Sequence, residues 1–373
     1  MAAERPLIVS IVGTRPEAIK MLPVVRAIAA RPRLRQQVLL TGQHQGLAPS
    51  FAAEAPLREL AYDPRGRTPA KLRETLHRAL CGVFRGEPAD LVLVHGDTTS
   101  ALAGAFAAHD CGIPIGHVEA GLRSFDYRHP WPEEGNRIAV DAMSDILFAP
   151  TPAAAANLAA DHHASGDVYV TGNTGIDALF AAAASLPPSP PPPAGALPAI
   201  LVTCHRKENA GPACAMIASA LERIVRELPV RILLPLHPNR HIRAELEGLL
   251  GGKPGIELLP PLEYPDMVAL IARSWLIVTD SGGLQEEGPA LGKPVLVLRD
   301  VTERPEAAPN VELVGADPER IFAAVAALLA DPERHARMSR PNGAFGDGRA
   351  GPRIAELCEA FLRARRSGLR ARA

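Results

Sequence analysis

The chain has 373 residues, a length that suits two domains better than one hydrophobic core. Its 40 Lys and Arg against 41 Asp and Glu give a formal net charge of −1, which excludes a general attraction to nucleic acid or anionic membranes. Five scattered cysteines without a C-x-x-C pair argue against a disulfide framework and a structural zinc, and they fit a reducing, cytoplasmic location.

Short apolar runs alternate with helical patterns along the chain. We interpret the amino-terminal stretch MAAERPLIVSIVG as leading into a strand and not as a signal peptide, and no apolar run reaches the length of a membrane span. The predicted strands are Leu7–Val12, Val38–Thr41, Leu91–Val94, Ile115–Val118, Ile146–Ala149, Ala199–Thr203, Arg231–Leu234, Ile256–Leu259, Leu276–Thr279 and Val295–Leu298. The predicted helices include Ile19–Ala29, Ala101–His109, Ala153–Ala160, Ala213–Glu227 and Leu284–Leu291. Nearly continuous apolar strands alternating with helices predict an α/β fold with parallel sheets.

A proline-rich segment, SLPPSPPPPAGALP, interrupts this alternation from Ser185 to Pro198. Proline at this density joins neither a helix nor a sheet ladder, and it favours a stiff extended connector. A surface loop is the alternative, but the segment lies between two complete strand–helix series. We therefore predict two Rossmann-like doubly wound domains facing each other across a cleft. They comprise residues 1–185 and 199–350, with residues 186–198 as the linker.

Polar residues cluster just after the apolar runs, where sheets of this kind bind their ligands. The first cluster, GTRPEAIK, contains Pro16, which presets a helix start, and Arg15 and Lys20, which can contact an anionic ligand. It lacks the G-x-G-x-x-G spacing, and the second strand ends in TGQH without an acidic residue, so this is not a dinucleotide fingerprint. A capping turn with two solvated cations explains the octamer equally well.

Carboxylates follow the next strands. Asp97, in HGDTTS, is either part of a helix cap or a carboxylate at the ligand-binding edge. Glu119 ends the following strand, where an unpaired charge is costly. PWPEEGNR then adds Glu133 and Arg137 at the start of a helical pattern. Three carboxylates crowded together raise one another's pKa, which suits general acid–base chemistry.

Two histidines open loops of the second series. His205 follows its first strand in TCHRKEN, where it can contact phosphate or transfer a proton, although a lone histidine is more often a satisfied surface residue. His237 and Asn239, in PLHPNRH after the next strand, are candidate ligand contacts. No acidic residue beside these histidines has ligand spacing, so we predict no metal site.

The stretch VTDSGGLQEEG, which begins at Val278, sets an anion-binding turn beside two carboxylates. Residues 281–283 offer backbone N–H groups at a helix start. We expect Glu286 and Glu287 to lie more than a helical turn further in, so that at least one of them misses the phosphate and meets the next part of the ligand. A carboxylate in that place can bind ribose hydroxyls, as in dinucleotide sites, so the stretch predicts a nucleoside diphosphate site.

Seven motifs, in their order along the chain, resemble the non-hydrolysing UDP-N-acetylglucosamine 2-epimerase family. They are GTRPEAIK, HGDTTSALA, GHVEAGLRS, PWPEEGNR, TGNTGIDAL, TCHRKEN and TDSGGLQEEGPALGKPVLVLRDVTERPEA. The resemblance implies a fold of the GT-B type, with a carboxyl-terminal helix of about residues 353–373 that packs back on the first domain. It also implies an isomerase that interconverts UDP-GlcNAc and UDP-ManNAc without cofactor or metal. UDP is eliminated to leave a glycal-like intermediate and is added back after a proton reaches the opposite face of carbon 2.

The resemblance assigns roles at matching positions. The acid–base carboxylates are Asp97, Glu119 and Glu133, and the catalytic histidine is His205; which carboxylate is acid and which is base stays open. Together with the two contacts from the strand-end pattern, the expected substrate-binding residues are Arg15, Lys20, Arg137, His237, Asn239, Tyr264, Ser281, Gly282, Gly283 and Glu287. Within this set, Arg15 and Lys20 are expected near the diphosphate and the Ser-Gly-Gly turn at the phosphates. Glu287 is expected at the ribose and Tyr264 near the uracil.

Departures from the family pattern keep alternatives open. Relatives that a second UDP-GlcNAc activates carry a bulkier continuation after the second strand; Gln43 and His44 are retained here, but the next positions differ. TGQHQG also resembles relatives that act on UDP-2,3-diacetamido-2,3-dideoxyglucuronate, whereas PWPEEGNR resembles the GlcNAc enzymes. A GT-B glycosyltransferase and a nucleotide-sugar-binding regulator are the more distant alternatives. The resemblance implies a homodimer that takes part in cell-surface polysaccharide biosynthesis, without nucleic-acid or membrane partners.

Overall fold

The computed structural model describes residues 5–60, 68–128, 131–187, 193, 195–204, 209, 211–237, 240–302 and 304–371. The chain forms two compact units. Unit 1 comprises Met1–Ala178 and Gly346–Ala373, and unit 2 comprises Leu179–Phe345.

Within the described residues, unit 1 is built on a parallel sheet of seven strands. The strands are β1 (Leu7–Val12), β2 (Arg35–Leu40), β3 (Leu57–Glu59), β4 (Leu91–His95), β5 (Ile115–Val118), β6 (Ile146–Ala149) and β7 (Asp167–Val170). The helices are α1 (Arg15–Ala29), α2 (Pro69–Gly86), α3 (Thr99–Asp110), α4 (Glu133–Met143), α5 (Pro152–Ala160) and α6 (Thr174–Ser185), which crosses the division between the units, with a 3-10 turn at Ala48–Ser50. The sheet order is β3-β2-β1-β4-β5-β6-β7.

The core of unit 1 lies on both faces of this sheet because its central strands are apolar throughout. In β1, Ile8 and Val12 face one apolar cluster, whereas Val9 and Ile11 face the other. All six residues of β1 are buried. This two-sided burial is why the central strands appear in the sequence as continuous apolar runs.

Unit 2 repeats the plan with six described strands. They are β8 (Ala199–Thr203), β9 (Arg231–Pro235), β10 (Ile256–Leu259), β11 (Leu276–Thr279), β12 (Val295–Val297) and β13 (Val311–Leu313). The helices are α7 (Pro212–Glu227), α8 (Arg240–Leu250), α9 (Tyr264–Arg273), α10 (Leu284–Ala290), α11 (Pro318–Ala330) and α12 (Pro332–Met338), with a 3-10 turn at Pro305–Ala307. The order is β10-β9-β8-β11-β12-β13, all parallel, with apolar clusters on both faces.

The chain returns to unit 1 in its last helix, α13 (Ala350–Ala371), which packs against α1. The Asp177 carboxylate accepts the backbone N–H groups of Ala350 and Gly351, at 3.0 and 2.8 Å, and so caps the first turn of α13. The compact units divide after Ala178 and after Phe345, a few residues before the boundaries of 185 and 350 that the sequence suggested, since residues 179–185 pack with unit 2 and residues 346–350 pack with unit 1.

Both sheets have a topological switch point, where the strand order reverses. In unit 1 it lies between β1 and β4, and in unit 2 between β8 and β11. Ligands of doubly wound sheets bind beyond the carboxyl ends of the strands at these points. The loops that begin at Gly13, Gly96, Cys204 and Asp280 follow these four strands, so the polar motifs of the sequence fall on the two ligand-binding edges.

All ten predicted strands exist, with ends that shift by up to three residues. Three short strands were missed: β3, β7 and β13. Each lies at a sheet edge and none is fully buried, so none leaves a continuous apolar run. Among the described residues, none of the helices combines the length and apolar character that crossing a membrane requires.

Candidate active site

The ligand-binding edge of unit 1 begins with a tight turn after β1. A Cβ atom at Gly13 would lie 2.0 Å from the Ser100 Oγ and 2.7 Å from the Thr41 Oγ1, so only glycine fits there. The Ser100 and Thr41 hydroxyls are themselves 2.7 Å apart. The turns after β1, β2 and β4 are therefore packed directly on one another.

A capping box at Thr14 starts α1 and ties it to the β4 turn. The Thr14 hydroxyl accepts the Glu17 N–H, and the Glu17 carboxylate accepts the N–H groups of Gly13 and Thr14 at 3.1 and 2.6 Å. The Thr98 hydroxyl donates to the same carboxylate at 2.8 Å. Burial raises the pKa of Glu17 despite these hydrogen bonds. Glu17 is thus a structural acid between the two strand-end loops.

Glu119 is held by two partners at the end of β5. Its Oε2 lies 2.6 Å from the Lys20 Nζ and 3.0 Å from the His95 Nε2, although the ring is poorly aligned for a hydrogen bond. Burial alone would raise the pKa of Glu119, but the charges of Lys20 and His95 outweigh it and hold that pKa well below its usual value. The expectation that crowded acids raise one another's pKa is wrong for this residue, because cations and not acids are its nearest charged neighbours.

The backbone of Glu119 is also unusual. Its φ is +69°, in the left-handed region that residues other than glycine rarely adopt. The N–H groups of Glu119 and Ala120 both donate to the Phe148 carbonyl, at 3.1 Å. Such conformations cost free energy and concentrate at functional sites, so the backbone supports the selection of Glu119 as a site residue.

Asp97 forms an ion pair with Arg137 of α4 through its Oδ2. The Arg137 guanidinium also reaches Glu134 at 3.2 Å. Burial would lower the pKa of Arg137, but Asp97 and Glu134 outweigh it and raise that pKa. Asn136 donates to the Asp97 carbonyl at 2.8 Å and so fixes the backbone of this turn as well. Helix α4 therefore positions the carboxylate that follows β4.

Glu133 and Glu134 have different roles although they are adjacent. Glu134 is buried and accepts the N–H groups of Ser124 and Phe125, at 3.0 and 3.1 Å. Glu133 is half-buried and, within the part of the chain that the structure describes, makes no hydrogen bond or ion pair. Glu134 thus organises the loop, and Glu133 keeps a carboxylate available to a ligand.

A buried charged cluster supports the Asp97 turn from behind. His117 and Asp141 are both fully buried, and Asp141 contacts the His117 Nδ1 at 2.6 Å and the Arg123 Nη1 at 2.7 Å. The His117 Nε2 is 2.9 Å from the carbonyl oxygen of Gly96, the residue before Asp97. Because buried charges are tolerated only when paired, this cluster fixes the loops after β4 and β5 relative to each other.

Gln43, His44 and Arg15 form the outer part of this edge. The Ser100 hydroxyl donates to Gln43 at 2.7 Å, and the His44 Nδ1 accepts the Arg15 N–H at 3.3 Å. Burial, with a smaller contribution from Arg15, lowers the pKa of His44, so its ring is neutral near pH 7. The Arg15 side chain is exposed at the first position of α1.

In unit 2, the turn after β11 presents residues 281–283 at the start of α10. The Ser281 N–H donates to the Thr279 hydroxyl at 2.9 Å, and the Thr279 and Thr203 hydroxyls are 2.5 Å apart across the switch point. The expectation that Glu286 and Glu287 lie more than a turn inside the helix is wrong. Both stand in the first turn because α10 begins only at Leu284.

Each of these two acids has a hydrogen-bonding partner close to the turn. Glu286 pairs with Arg304 at 2.5 Å, and Glu287 accepts the Tyr264 hydroxyl at 2.9 Å. Burial, then Glu287, raises the pKa of Tyr264, which keeps the phenol a neutral donor. The Arg304 guanidinium nitrogens lie about 3 Å from where a Cβ atom of Gly282 would stand, so a cation covers the turn.

Other expected residues of unit 2 are only partly described. His237 follows β9 and is half-buried. Asp280, at the end of β11, accepts the Asn209 amide at 3.1 Å, and Asn209 also donates to the Leu298 carbonyl at 3.3 Å. His205 and Asn239 lie outside the described residues, so their roles stay predictions.

Sequence patterns did not single out five residues of these edges: Glu17, His95, His117, Asp141 and Arg304. The signature T-x-x-E at Thr14–Glu17 is a capping box that could have identified the first of them. The remainder depend on contacts between loops far apart in sequence, which no local pattern contains. Among the described residues, one group of His, Cys and Asp side chains is close enough to share a cation, and it includes no residue of either edge.

Comparisons with known proteins agree with this architecture. The model of the UDP-N-acetylglucosamine 2-epimerase family matches residues 26–359. The chain is 39% identical over 369 residues to the UDP-N-acetylglucosamine 2-epimerase of Escherichia coli K12, an alignment that covers 94% of this chain and 97% of that protein. It is also 39% identical over 356 residues to the enzyme of Bacillus subtilis strain 168, with 94% of each covered.

Solved structures give the same result. UDP-GlcNAc 2-epimerase from Neisseria meningitidis bound to UDP-GlcNAc is 34% identical with a TM-score of 0.88, over 95% of this chain and 100% of that one. The Methanocaldococcus jannaschii enzyme in complex with UDP-GlcNAc and UDP is 29% identical with a TM-score of 0.78, over 95% and 99%. A glycotransferase of kitacinnamycin, at 18% identity and a TM-score of 0.61, shares the fold alone, over 96% and 99%. The fold is GT-B-like, and the chain belongs to the UDP-N-acetylglucosamine 2-epimerase family.

Proposed function

We propose that this protein is a non-hydrolysing UDP-N-acetylglucosamine 2-epimerase, an isomerase that interconverts UDP-GlcNAc and UDP-ManNAc. Family membership and near-full-length identity to proteins of that name support the reaction. The observation that carries the proposal is the pair of carboxylates on the unit 1 edge, where Asp97 and Glu119 follow neighbouring strands and are each paired with a cation.

The reaction needs proton transfer at carbon 2 and a stabilised leaving group at carbon 1. One carboxylate removes the proton from carbon 2, and the electrons of that C–H bond form the C1–C2 double bond. The bond between carbon 1 and the UDP oxygen breaks, and its electron pair leaves with UDP. In the return step, UDP oxygen attacks carbon 1 while an acid delivers a proton to the opposite face of carbon 2. Two proton-transfer groups on opposite faces are therefore required, and cations stabilise the departing diphosphate.

We assign the proton transfers to Asp97, Glu119 and Glu133, without dividing acid from base. The depressed pKa of Glu119 keeps it ionised at neutral pH, so it can accept a proton, although its pairing with Lys20 makes it a weaker base than an unpaired carboxylate. We assign Lys20, together with Arg15, to the diphosphate. Because Lys20 is paired with Glu119 in this structure, its ammonium group has to shift towards the diphosphate when substrate binds. Arg137 orients Asp97 through their ion pair. Glu133, with no partner among the described residues, is available for the sugar.

We assign recognition of the nucleotide to unit 2. The turn of Ser281, Gly282 and Gly283 offers backbone N–H groups to a phosphate. Glu287 accepts ribose hydroxyls, and Tyr264, which donates to Glu287, orients that carboxylate beside the uracil. On sequence grounds, His237 and Asn239 remain candidate ligand contacts, and His205 remains the candidate catalytic histidine.

Several further properties belong to the same proposal. All five cysteines are free, which fits the reducing cytoplasm. The family resemblance supports a homodimer, to be checked by light scattering on the purified protein. Gln43 and His44 are kept as candidate allosteric contacts, and UDP-dependent activation curves test them. The chemistry above uses no cofactor or metal.

Proton NMR of purified protein with UDP-GlcNAc in deuterated buffer tests the function. We expect UDP-ManNAc to appear with deuterium at carbon 2 of both sugars. A parallel sample with UDP-2,3-diacetamido-2,3-dideoxyglucuronate separates the two epimerase substrates, and we expect the GlcNAc sugar to react faster. Unchanged configuration, or epimerisation that retains the original hydrogen at carbon 2, would contradict the proposal.

A further inference from the structure

A compact group of potential metal ligands lies on unit 1 where helices α2 and α3 meet. The His77 Nε2 is 3.5 Å from the Cys81 Sγ and 2.8 Å from an Asp110 Oδ2, and the three ligand atoms all lie within 4.8 Å of one another. Cys111 is a neighbour, because its thiol interacts with that of Cys81. Nitrogen, sulfur and oxygen donors therefore converge on one point.

Two local features bring these residues together. His77 and Cys81 are four residues apart on α2, so their side chains lie on the same face of the helix. Asp110 is the last residue of α3, and Cys111 is its C-cap. Since α2 packs along α3, the helix end meets the histidine and cysteine face. No C-x-x-C pattern marks this group, which is why the sequence did not reveal it.

The distances suit a tetrahedral zinc ion. With Zn–N near 2.0 Å, Zn–S near 2.3 Å and Zn–O near 2.0 Å, two tetrahedral ligands stand about 3.5 Å apart for N and S and about 3.3 Å apart for N and O. The His77–Cys81 distance of 3.5 Å already matches. The His77–Asp110 distance of 2.8 Å is about 0.5 Å shorter than that of two zinc-bound ligands, so the half-exposed Asp110 side chain has to shift on binding.

The three side chains differ in their exposure to solvent, as expected for an ion site at the protein surface. The Cys81 side chain is buried, whereas His77 and Asp110 have exposed fractions of 33% and 51%. A cation can thus enter from solvent and reach a thiol anchored in the core. The donor set of imidazole, thiol and carboxylate suits zinc and its neighbours, whereas magnesium and calcium prefer oxygen ligands alone.

We propose that His77, Cys81 and Asp110 bind a zinc-class divalent cation, with the Cys111 thiol or a water as the fourth ligand. The site lies away from the ligand-binding edge of unit 1. Helix α3 starts at that edge, after β4, and ends at Asp110, where the chain returns to the start of β5. The cation therefore joins α2 to α3 and stabilises unit 1, and this role does not depend on the proposed enzymatic function.

Cobalt(II) is the probe, because a cobalt–thiolate bond gives a charge-transfer band in the near ultraviolet. The full-length protein is reduced, stripped with a chelator and titrated with cobalt, then with zinc as a competitor. We expect one cobalt per chain with a thiolate band that zinc abolishes, and a thermal midpoint about 3 °C higher with zinc. Turnover of UDP-GlcNAc is expected to be the same with and without zinc.

Variants identify the ligands. Cys81→Ser and His77→Asn should each lower cobalt affinity at least tenfold, and Cys81→Ser should remove the thiolate band. His109→Asn, an exposed histidine on the same helix as Asp110, is the matched control and should bind like the wild type. His77 is partly exposed, so its variant is expected to fold even if Cys81→Ser does not. The proposal would be overturned if His77→Asn still bound one cobalt per chain with wild-type affinity. It would also be overturned if the wild type bound no cobalt, or bound cobalt without a thiolate band.

Discussion

The two ligand-binding edges share a topology but differ in chemistry. Both sheets have the order 3-2-1-4-5-6 around their switch points, and unit 1 adds one more strand. On the described part of the unit 1 edge, the carboxylates of Asp97 and Glu119 follow neighbouring strands and are each paired with a cation. The unit 2 edge carries hydroxyls and glycines, with Glu287 bound by the neutral phenol of Tyr264.

The comparison indicates that strand order determines where a ligand binds, whereas the side chains at that place determine the chemistry. Carboxylates that follow neighbouring strands and pair with Lys20 and Arg137 are placed to transfer protons. A turn of backbone N–H groups with a neutral donor nearby is suited to holding a nucleotide. We therefore expect substitutions in unit 1 to change turnover and substitutions in unit 2 to change affinity.

Glu119→Gln should have the largest effect. Loss of a proton-transfer group typically costs 10² to 10⁴ in rate, so we expect kcat to fall by about 10³. UDP affinity should stay within about threefold of the wild type, since the nucleotide is assigned to unit 2. Coupled turnover assays and calorimetry with UDP measure the two quantities. Glu74→Gln, which removes an exposed acid of α2, is the control and should leave both unchanged.

Asp97→Asn should lower kcat by about 10² with little change in KM, because the amide cannot exchange a proton and its pairing with Arg137 is weakened. Circular dichroism checks that the fold persists. A rate within a factor of three of the wild type would remove Asp97 from the chemistry. A large rise in KM alone would make it a binding residue.

Glu287→Gln should weaken UDP binding by about tenfold, or about 1.4 kcal/mol, because an ionised acceptor is lost at the ribose. Tyr264→Phe, which removes only the hydroxyl that contacts Glu287, should weaken it by about threefold. Both affinities are measured by calorimetry. At saturating substrate both variants should keep kcat near the wild-type value. A collapse of kcat without a change in affinity would contradict the assignment.

The smallest expected effect is on stability in acid. The folded-state pKa of Glu119 lies well below its ordinary value of 4.5, so the folded state binds fewer protons than the unfolded state in that window. The stabilising contribution is present above about pH 4.5 and is lost as pH falls through the folded-state pKa. The thermal midpoint of the wild type should therefore decline more steeply in acid than that of Glu119→Gln. Parallel curves would place the ionised carboxylate elsewhere.

Particular residues show how far the sequence predicts this structure. The central strands were predictable because two-sided burial leaves continuous apolar runs, as in Leu7–Val12. Edge strands such as Asp167–Val170 were missed because all four residues are exposed. Asp97 and Glu119 could be selected as candidates because charged residues directly after buried strands have few structural reasons to be there.

The partners of those residues could not be predicted. Lys20 and Glu119 are 99 positions apart, and Glu286 meets Arg304 only through a loop after β12. The sequence therefore indicated that two acids follow Gly283 but assigned the wrong reason for their tolerance. The sequence-based explanation was that the acids lie further along the helix. In the structure, Glu286 instead pairs with Arg304, and Glu287 accepts a hydrogen bond from the Tyr264 phenol. Electrostatic partners between loops depend on tertiary packing, which local patterns do not record.

Deuterium exchange at carbon 2 is the sharpest test of whether unit 1 transfers protons while unit 2 binds the nucleotide. Wild type, Glu119→Gln and Glu287→Gln are each incubated with saturating UDP-GlcNAc in deuterated buffer, and incorporation at carbon 2 is followed by NMR. We predict that exchange falls by at least about a hundredfold in Glu119→Gln and stays near the wild-type rate in Glu287→Gln. Exchange that persists in Glu119→Gln and disappears in Glu287→Gln would show that proton transfer belongs to the other edge.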